Sequence, residues 1–219
     1  MVGITFWRLR ESRAGEEQAV RFSEGGRERS WTPERLGAEI PVVAGEKIRV
    51  GIETARRGYL YVLDREQYSD GTFSTPMLIF PTARTRGGNN VAAGRLIEVP
   101  AWSDNPPYFT LRISQPNQVA EVLTVLVTPD PVPELQNAQE AMRVPLRLLE
   151  SWERQWGGQV SRLNTSDETG ATYTRAEKEA AAVGTRYLTQ EDPLPQALYY
   201  KEAQTAEPVL VNIRVPIVK

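Results

Sequence analysis

Asp64, Glu66 and Asp70, in the run DREQYSDG, form the most acidic short cluster in the chain. Carboxylates so close together serve either as ligands for a hard cation or as acid–base groups. A calcium loop needs oxygen ligands at alternating positions and its glycine at the sixth. Here Tyr68 holds the third alternating place and Gly71 falls at the eighth, so the match fails. A strand end followed by a hairpin turn at Asp70-Gly71 accounts for the cluster, and no metal site is expected. Glycoside hydrolysis needs two acids flanking a groove. Among 28 acidic residues the sequence nominates no such pair.

Binding chemistry has better candidates. The stretch from Thr82 to Asn90 holds Arg84, Arg86, Asn89 and Asn90 around Gly87-Gly88, groups able to receive a carboxylate, a phosphate or a sugar. A solvated connection with left-handed turns would have the same composition. Tyr59 and Tyr61, two residues apart, share one face of a strand. Exposed, they would form a sugar- or peptide-binding platform; buried, they would pack under a helix or loop. Leu63 continues their face, which favours burial. These six residues are the ligand-binding candidates.

Composition excludes several chemistries. With no histidine and no cysteine, there is no Ser-His-Asp or Cys-His set, no zinc site of the usual ligands and no disulfide. Phosphate-cradling glycine loops are absent, since the Gly-Gly pairs at 25, 87 and 157 lack the required flanks. A formal charge of −2 argues against a nucleic-acid binder that relies on a positive field. Arginine outnumbers lysine by 22 to four, a scattered excess in keeping with a GC-rich genome. No stretch is long and apolar enough to span a membrane, and Met1 to Arg10 has no signal-peptide core. No cofactor and no catalytic residue are expected.

These candidates would have to be positioned mainly by strands. Apolar residues alternate over 47–53 and 209–217, the period of a half-buried strand. Pro216 places the last strand at an edge or ends it there. Residues 58–64 and 121–128 are apolar on both faces and read as central strands packed on each side. Shorter strands are expected at 77–80, 95–100 and 109–113, with turns between. An amphipathic helix starts with Pro145 at its first position and carries Leu146, Leu149, Trp152 and Trp156 on one face, packed on a sheet. A second helix is expected from Thr174, capped reciprocally with Glu177. Residues 31–36 look like a capped single turn with Thr32 as N-cap and Pro33 following, and 158–173 like an exposed loop. Gly58 is expected at a tight bend or a close backbone approach.

The ordered series Ala44-Gly45-Glu46, Gly58-Tyr59-Leu60-Tyr61-Val62, Asp70-Gly71, Leu78-Ile79-Phe80-Pro81, Asn90, Gly94 and Ile97-Glu98-Val99-Pro100 resembles the bacterial domain-of-unknown-function family 4384. It covers about residues 40–128. The resemblance implies an accessory or sensing module of an exported or periplasmic protein, or one appended to kinase-like or caspase-like domains. It brings no active site to transfer.

The expectation is a mainly β chain: a Greek-key, immunoglobulin-like β-sandwich with two or three short peripheral helices. Residues 1–219 would form one β-rich domain, with 40–128 as its core and 1–39 and 129–219 as decorations. The expected function is a non-enzymatic binding or interaction module of a bacterial envelope or signalling protein, with a protein or glycan partner. A carboxylate-based glycan-acting enzyme and a structural oligomerisation domain using its edge strands are the alternatives.

Overall fold

The computed structural model describes the chain except residues 38–40, 83–87, 136–140, 159, 166–167, 176, 179–185, 191, 202–206 and 219. The strands are β1 (Val2–Glu11), β2 (Val20–Glu24), β3 (Arg27–Arg35), β4 (Val42–Val43), β5 (Lys47–Thr54), β6 (Gly58–Tyr68), β7 (Met77–Phe80) and β8 (Asn90–Val91). They continue as β9 (Arg95–Val99), β10 (Phe109–Thr110), β11 (Gln118–Thr128), β12 (Met142–Arg143), β13 (Ser161–Asn164), β14 (Arg186–Tyr187), β15 (Ala197–Tyr200) and β16 (Val209–Val218). The helix α1 (Leu146–Trp152) runs on into a π-helical turn at Glu153–Gly157.

Two sheets form a β-sandwich. One runs β13-β15-β1-β5-β9-β14, with β3 and β2 added beside β1 and β10 beside β5. The other runs β12-β7-β6-β11-β16-β4, with β8 beside β6. Between them lies the main core, where Val2, Ile4, Val50, Ile52, Ile97 and Val99 meet Leu60, Val62, Val125, Val127, Val209 and Val211. Alternation sends the other set of β6, β11 and β16 side chains outward. There Tyr61, Leu63, Leu126 and Leu210 pack under Leu149 and Trp152 of α1. β6 and β11 are thus covered on both faces, as their two-sided apolar pattern predicts. β16 pairs with β11 from Val209 to Pro216 and with β4 at Ile217 and Val218.

The flanks carry interior strands. β1 lies between β5 and β15, and β16 joins β11 to β4.

Three local expectations change. Residues 31–35 are strand, not a helical turn, because β3 pairs with β1 from Trp31 to Arg35. Long-range pairing of that extent outweighs a local capping preference. Pro33 is tolerated because β2 covers β3 only as far as Trp31. Within 158–173, residues 161–164 form the edge strand β13, all four exposed, whereas Tyr173 is buried. Pro145 is the cap rather than the first helical residue of α1, its carbonyl accepting from Leu148 and Leu149. The reciprocal cap at 174–177 is present: Thr174 N–H donates to Glu177 at 2.7 Å, and Glu177 N–H donates to the Thr174 hydroxyl at 3.1 Å.

Candidate binding site

Where the inner faces of the two sheets leave the packed core, a pocket of about 490 Å³ opens between them. Phe6 of β1 and Ile48 of β5 form one wall, and Ile79, Leu123 and Val215 the other. Phe109 of β10 and Leu111 just after it add to the apolar lining, with Pro106 and Tyr108 before them. Phe6, Ile79, Phe109 and Leu123 are only partly buried, since each packs on the main core and also borders the pocket.

Two carboxyls, Asp64 and Glu121, stand in this apolar lining. Their position follows from register. Asp64 lies opposite Leu123 and Glu66 opposite Glu121, so all three acids share the inner face of β6 and β11 with Leu60, Val62, Val125 and Val127. The inner face therefore turns from apolar to acidic along the same two strands. Like charges directly opposite each other are destabilising. Burial, then the charges of Asp64 and Glu66, push the Glu121 carboxyl up to about 9. Burial also raises Asp64, which hydrogen-bonds with Glu121. At neutral pH Glu121 keeps its proton and gives it to Asp64, so the pair carries one negative charge.

The surrounding polar groups are aimed at Glu66 and Glu121. Tyr68 donates its hydroxyl to Glu66 at 2.7 Å, and the Ser114 hydroxyl donates to the same oxygen. Gln118 Nε2 donates to Glu121 Oε1 at 2.8 Å. Asp64 also accepts the Arg65 N–H, and apart from that and the proton shared by the two acids, no further donor among the described residues serves Asp64 Oδ1 or Glu121 Oε2, both of which are buried. Arg112 borders the pocket but is exposed.

Of the six residues expected to bind ligand, the four that are described, Tyr59, Tyr61, Asn89 and Asn90, lie elsewhere. Tyr61 is buried beneath α1, and its hydroxyl oxygen accepts the Val132 N–H at 2.9 Å. Tyr59, half-buried on the same face, pairs with Asn90 of β8. The Asn89 carbonyl accepts from Leu60 N–H at 2.9 Å. The structure thus brings Tyr59, Asn89 and Asn90 together along one strand pair, on β6 but outside the lining of the pocket. Arg84 and Arg86 lie outside the described residues.

Glu121 escapes a composition-based search because it opens an apolar run. Its signal is positional: in EVLTVLVT it occupies the same alternating set as Leu123, Val125 and Val127. Arg49 escapes for the converse reason, as an arginine in the polar half of an alternating strand. It is wholly buried on the outer face of the first sheet, donating to the Pro107 carbonyl at 2.6 Å and to Glu98 at 2.9 Å. Tyr173 donates to the other Glu98 oxygen at 2.7 Å and meets Trp7 edge-on, with ring centres 4.6 Å apart. Burial and then the Glu98 charge hold the Tyr173 phenol well above its ordinary value, so it remains a donor. Beyond Trp7 lies Arg35, paired with Glu177 at 2.9 Å. This second charged layer is closed and fastens connecting segments onto the sheet.

Among the described residues no group of three or more His, Cys, Asp or Glu side chains is arranged to hold a metal ion. No described helix is long and apolar enough to cross a membrane. Fold and pocket together define a β-sandwich with an apolar pocket between its sheets and an acid pair in the pocket lining. No family model, curated protein or solved structure matches the chain.

Proposed function

We propose that the chain is a non-enzymatic binding module whose ligand occupies the pocket between the two sheets. The observation that carries this reading is the pocket itself: about 490 Å³, mainly apolar in its lining, with a small convergent polar set at Asp64 and Glu121. That size and that mixture suit a small organic ligand. The contact between the two acids supports binding over glycan hydrolysis, in which paired acids stand roughly 5–10 Å apart across the scissile bond. On the family resemblance over residues 40–128 alone, we extend the proposal to a module of a bacterial envelope or signalling protein.

Titration with N-phenyl-1-naphthylamine, an uncharged probe that fluoresces in apolar surroundings, tests the pocket. Saturable enhancement is expected for the native chain and its loss for Leu123→Trp, where the larger ring fills the space Leu123 borders. Equal enhancement in both, or none in either, overturns the pocket reading. Turnover on a hydrolase panel that Asp64→Asn abolishes would overturn the non-catalytic one.

A further inference from the structure

We infer that the pocket selects a small organic amine, an apolar body carrying a protonated ammonium that hydrogen-bonds the Asp64–Glu121 pair. This inference rests on the pocket being a ligand site and names the ligand's chemistry.

The pair is short of donors. Gln118 supplies one to Glu121 Oε1, the Arg65 N–H supplies one to Asp64, and the two acids share one proton; beyond these, Asp64 Oδ1 and Glu121 Oε2 are buried with no further donor from the described residues. Glu66, across from Glu121, differs: the Tyr68 and Ser114 hydroxyls both serve it. Unfilled acceptor capacity is therefore concentrated on the two acids that line the cavity. An ammonium offers three donors and no acceptor, the complement of this set. An alcohol brings one donor and no charge. A carboxylate would face Asp64 and Glu66 at close range.

Charge balance points the same way. The groups facing the acid pair are Glu66 on β6, Gln118 at the start of β11, the hydroxyls of Tyr68 and Ser114, and Arg112. Arg112 is exposed to solvent, so its charge is screened, while the acids share the pocket lining with Phe6, Ile79, Leu123 and Phe109. An ammonium whose alkyl or aryl body lies on those four side chains satisfies both halves of the lining. The proton held between the carboxyls leaves to solvent when the ammonium takes its place.

Competition against bound N-phenyl-1-naphthylamine at neutral pH tests this with benzylamine and benzyl alcohol, which differ only in the head group. Benzylamine is expected to displace the probe at a concentration about tenfold lower, the size of one added charge-assisted contact. In the Asp64→Asn, Glu121→Gln double variant the two compounds should become equal, with benzyl alcohol unchanged. Glu121→Gln alone, which keeps one carboxylate, should retain part of the preference. Equal displacement by both compounds in the native chain, a preference that survives the double variant, or displacement by neither while the probe binds would overturn the amine inference and leave the pocket reading standing. Failure of the probe to bind overturns both.

Discussion

The guanidinium carbon of Arg49 lies 3.6 Å from the centre of the Trp102 ring, and none of the Arg49 side chain reaches solvent. An arginine can be buried in this way only if its charge is matched, here by Glu98, and its planar face covered, here by the indole. Removing one member of such a pair leaves the other buried and unmatched. Arg49→Ala is expected to lower the unfolding free energy by about 3–5 kcal/mol. The double change Arg49→Met with Glu98→Gln should recover most of that loss. Urea denaturation measures both; a loss under about 1 kcal/mol for Arg49→Ala would show the pair is not holding the layer in place.

The acid pair makes stability depend on pH in a set direction. Unfolded, Glu121 ionises near its ordinary value of 4.5; folded, it does so near about 9. Between those values the folded chain holds the extra proton, so the associated stability is fully present below 4.5 and is lost as pH rises towards 9. Asp64, also raised, acts in the same direction. The melting temperature of the native chain should therefore fall from about pH 5 to about pH 9, and Glu121→Gln should flatten that fall. Parallel profiles for the two proteins would contradict the assignment.

Gly58 begins β6 where the backbone of β11 passes closest. A Cβ at this position would fall well inside van der Waals contact of the Thr128 carbonyl oxygen, a backbone atom that cannot swing aside. Gly58→Val should reduce stability by at least about 2 kcal/mol, in the range for overpacking a tight site. An unchanged melting temperature would show that the two strands separate without loss.

Trp152 and Trp156 stack with their ring centres 5.7 Å apart and their planes inclined by 11°. Their burial is unequal: Trp152 is enclosed over the Tyr61 face of the sheet, whereas Trp156, in the π-helical turn, is half-exposed. Trp152→Ala should cost about 3–5 kcal/mol, as for other large-to-small changes in a core. Trp156→Ala should cost clearly less. Equal losses in chemical denaturation would mean that the stack, rather than burial, carries the energy.

The strands with a strong apolar period were legible in the sequence, and the site was not. β5, β6, β7, β9, β11 and β16 all coincide with runs whose alternation or two-sided apolarity stands out. β1 also alternates, with Val2, Ile4 and Phe6 facing inward, but Trp7 and Leu9 occupy the other face and blur the period. β3 contains Thr32 and Pro33, residues that locally suggest a helix start, and pairing with β1 holds that part of it as strand. Asp64 and Glu66 stand out as an acidic cluster, yet their partner Glu121 is far along the chain. What joins them is the β6–β11 register, which no local pattern encodes. Leu63 continues the face of Tyr59 and Tyr61, and all three join the cluster beneath the helix, Tyr61 and Leu63 buried and Tyr59 partly so.

The pairing of β1 with β15 sets the order in which this protein can assemble. Val2 is matched to Tyr199 and Ile4 to Ala197. During synthesis, residues 2–4 must wait until Ala197–Tyr199 have been made before one of their strand partners exists. Contacts of such long sequence separation slow folding and leave strand edges open in the meantime. The partner strand β5 arrives much sooner and covers the other side of β1. The nascent chain therefore carries a half-finished sheet until β15 emerges beside β1, and the second sheet waits in the same way for β16 beside β11.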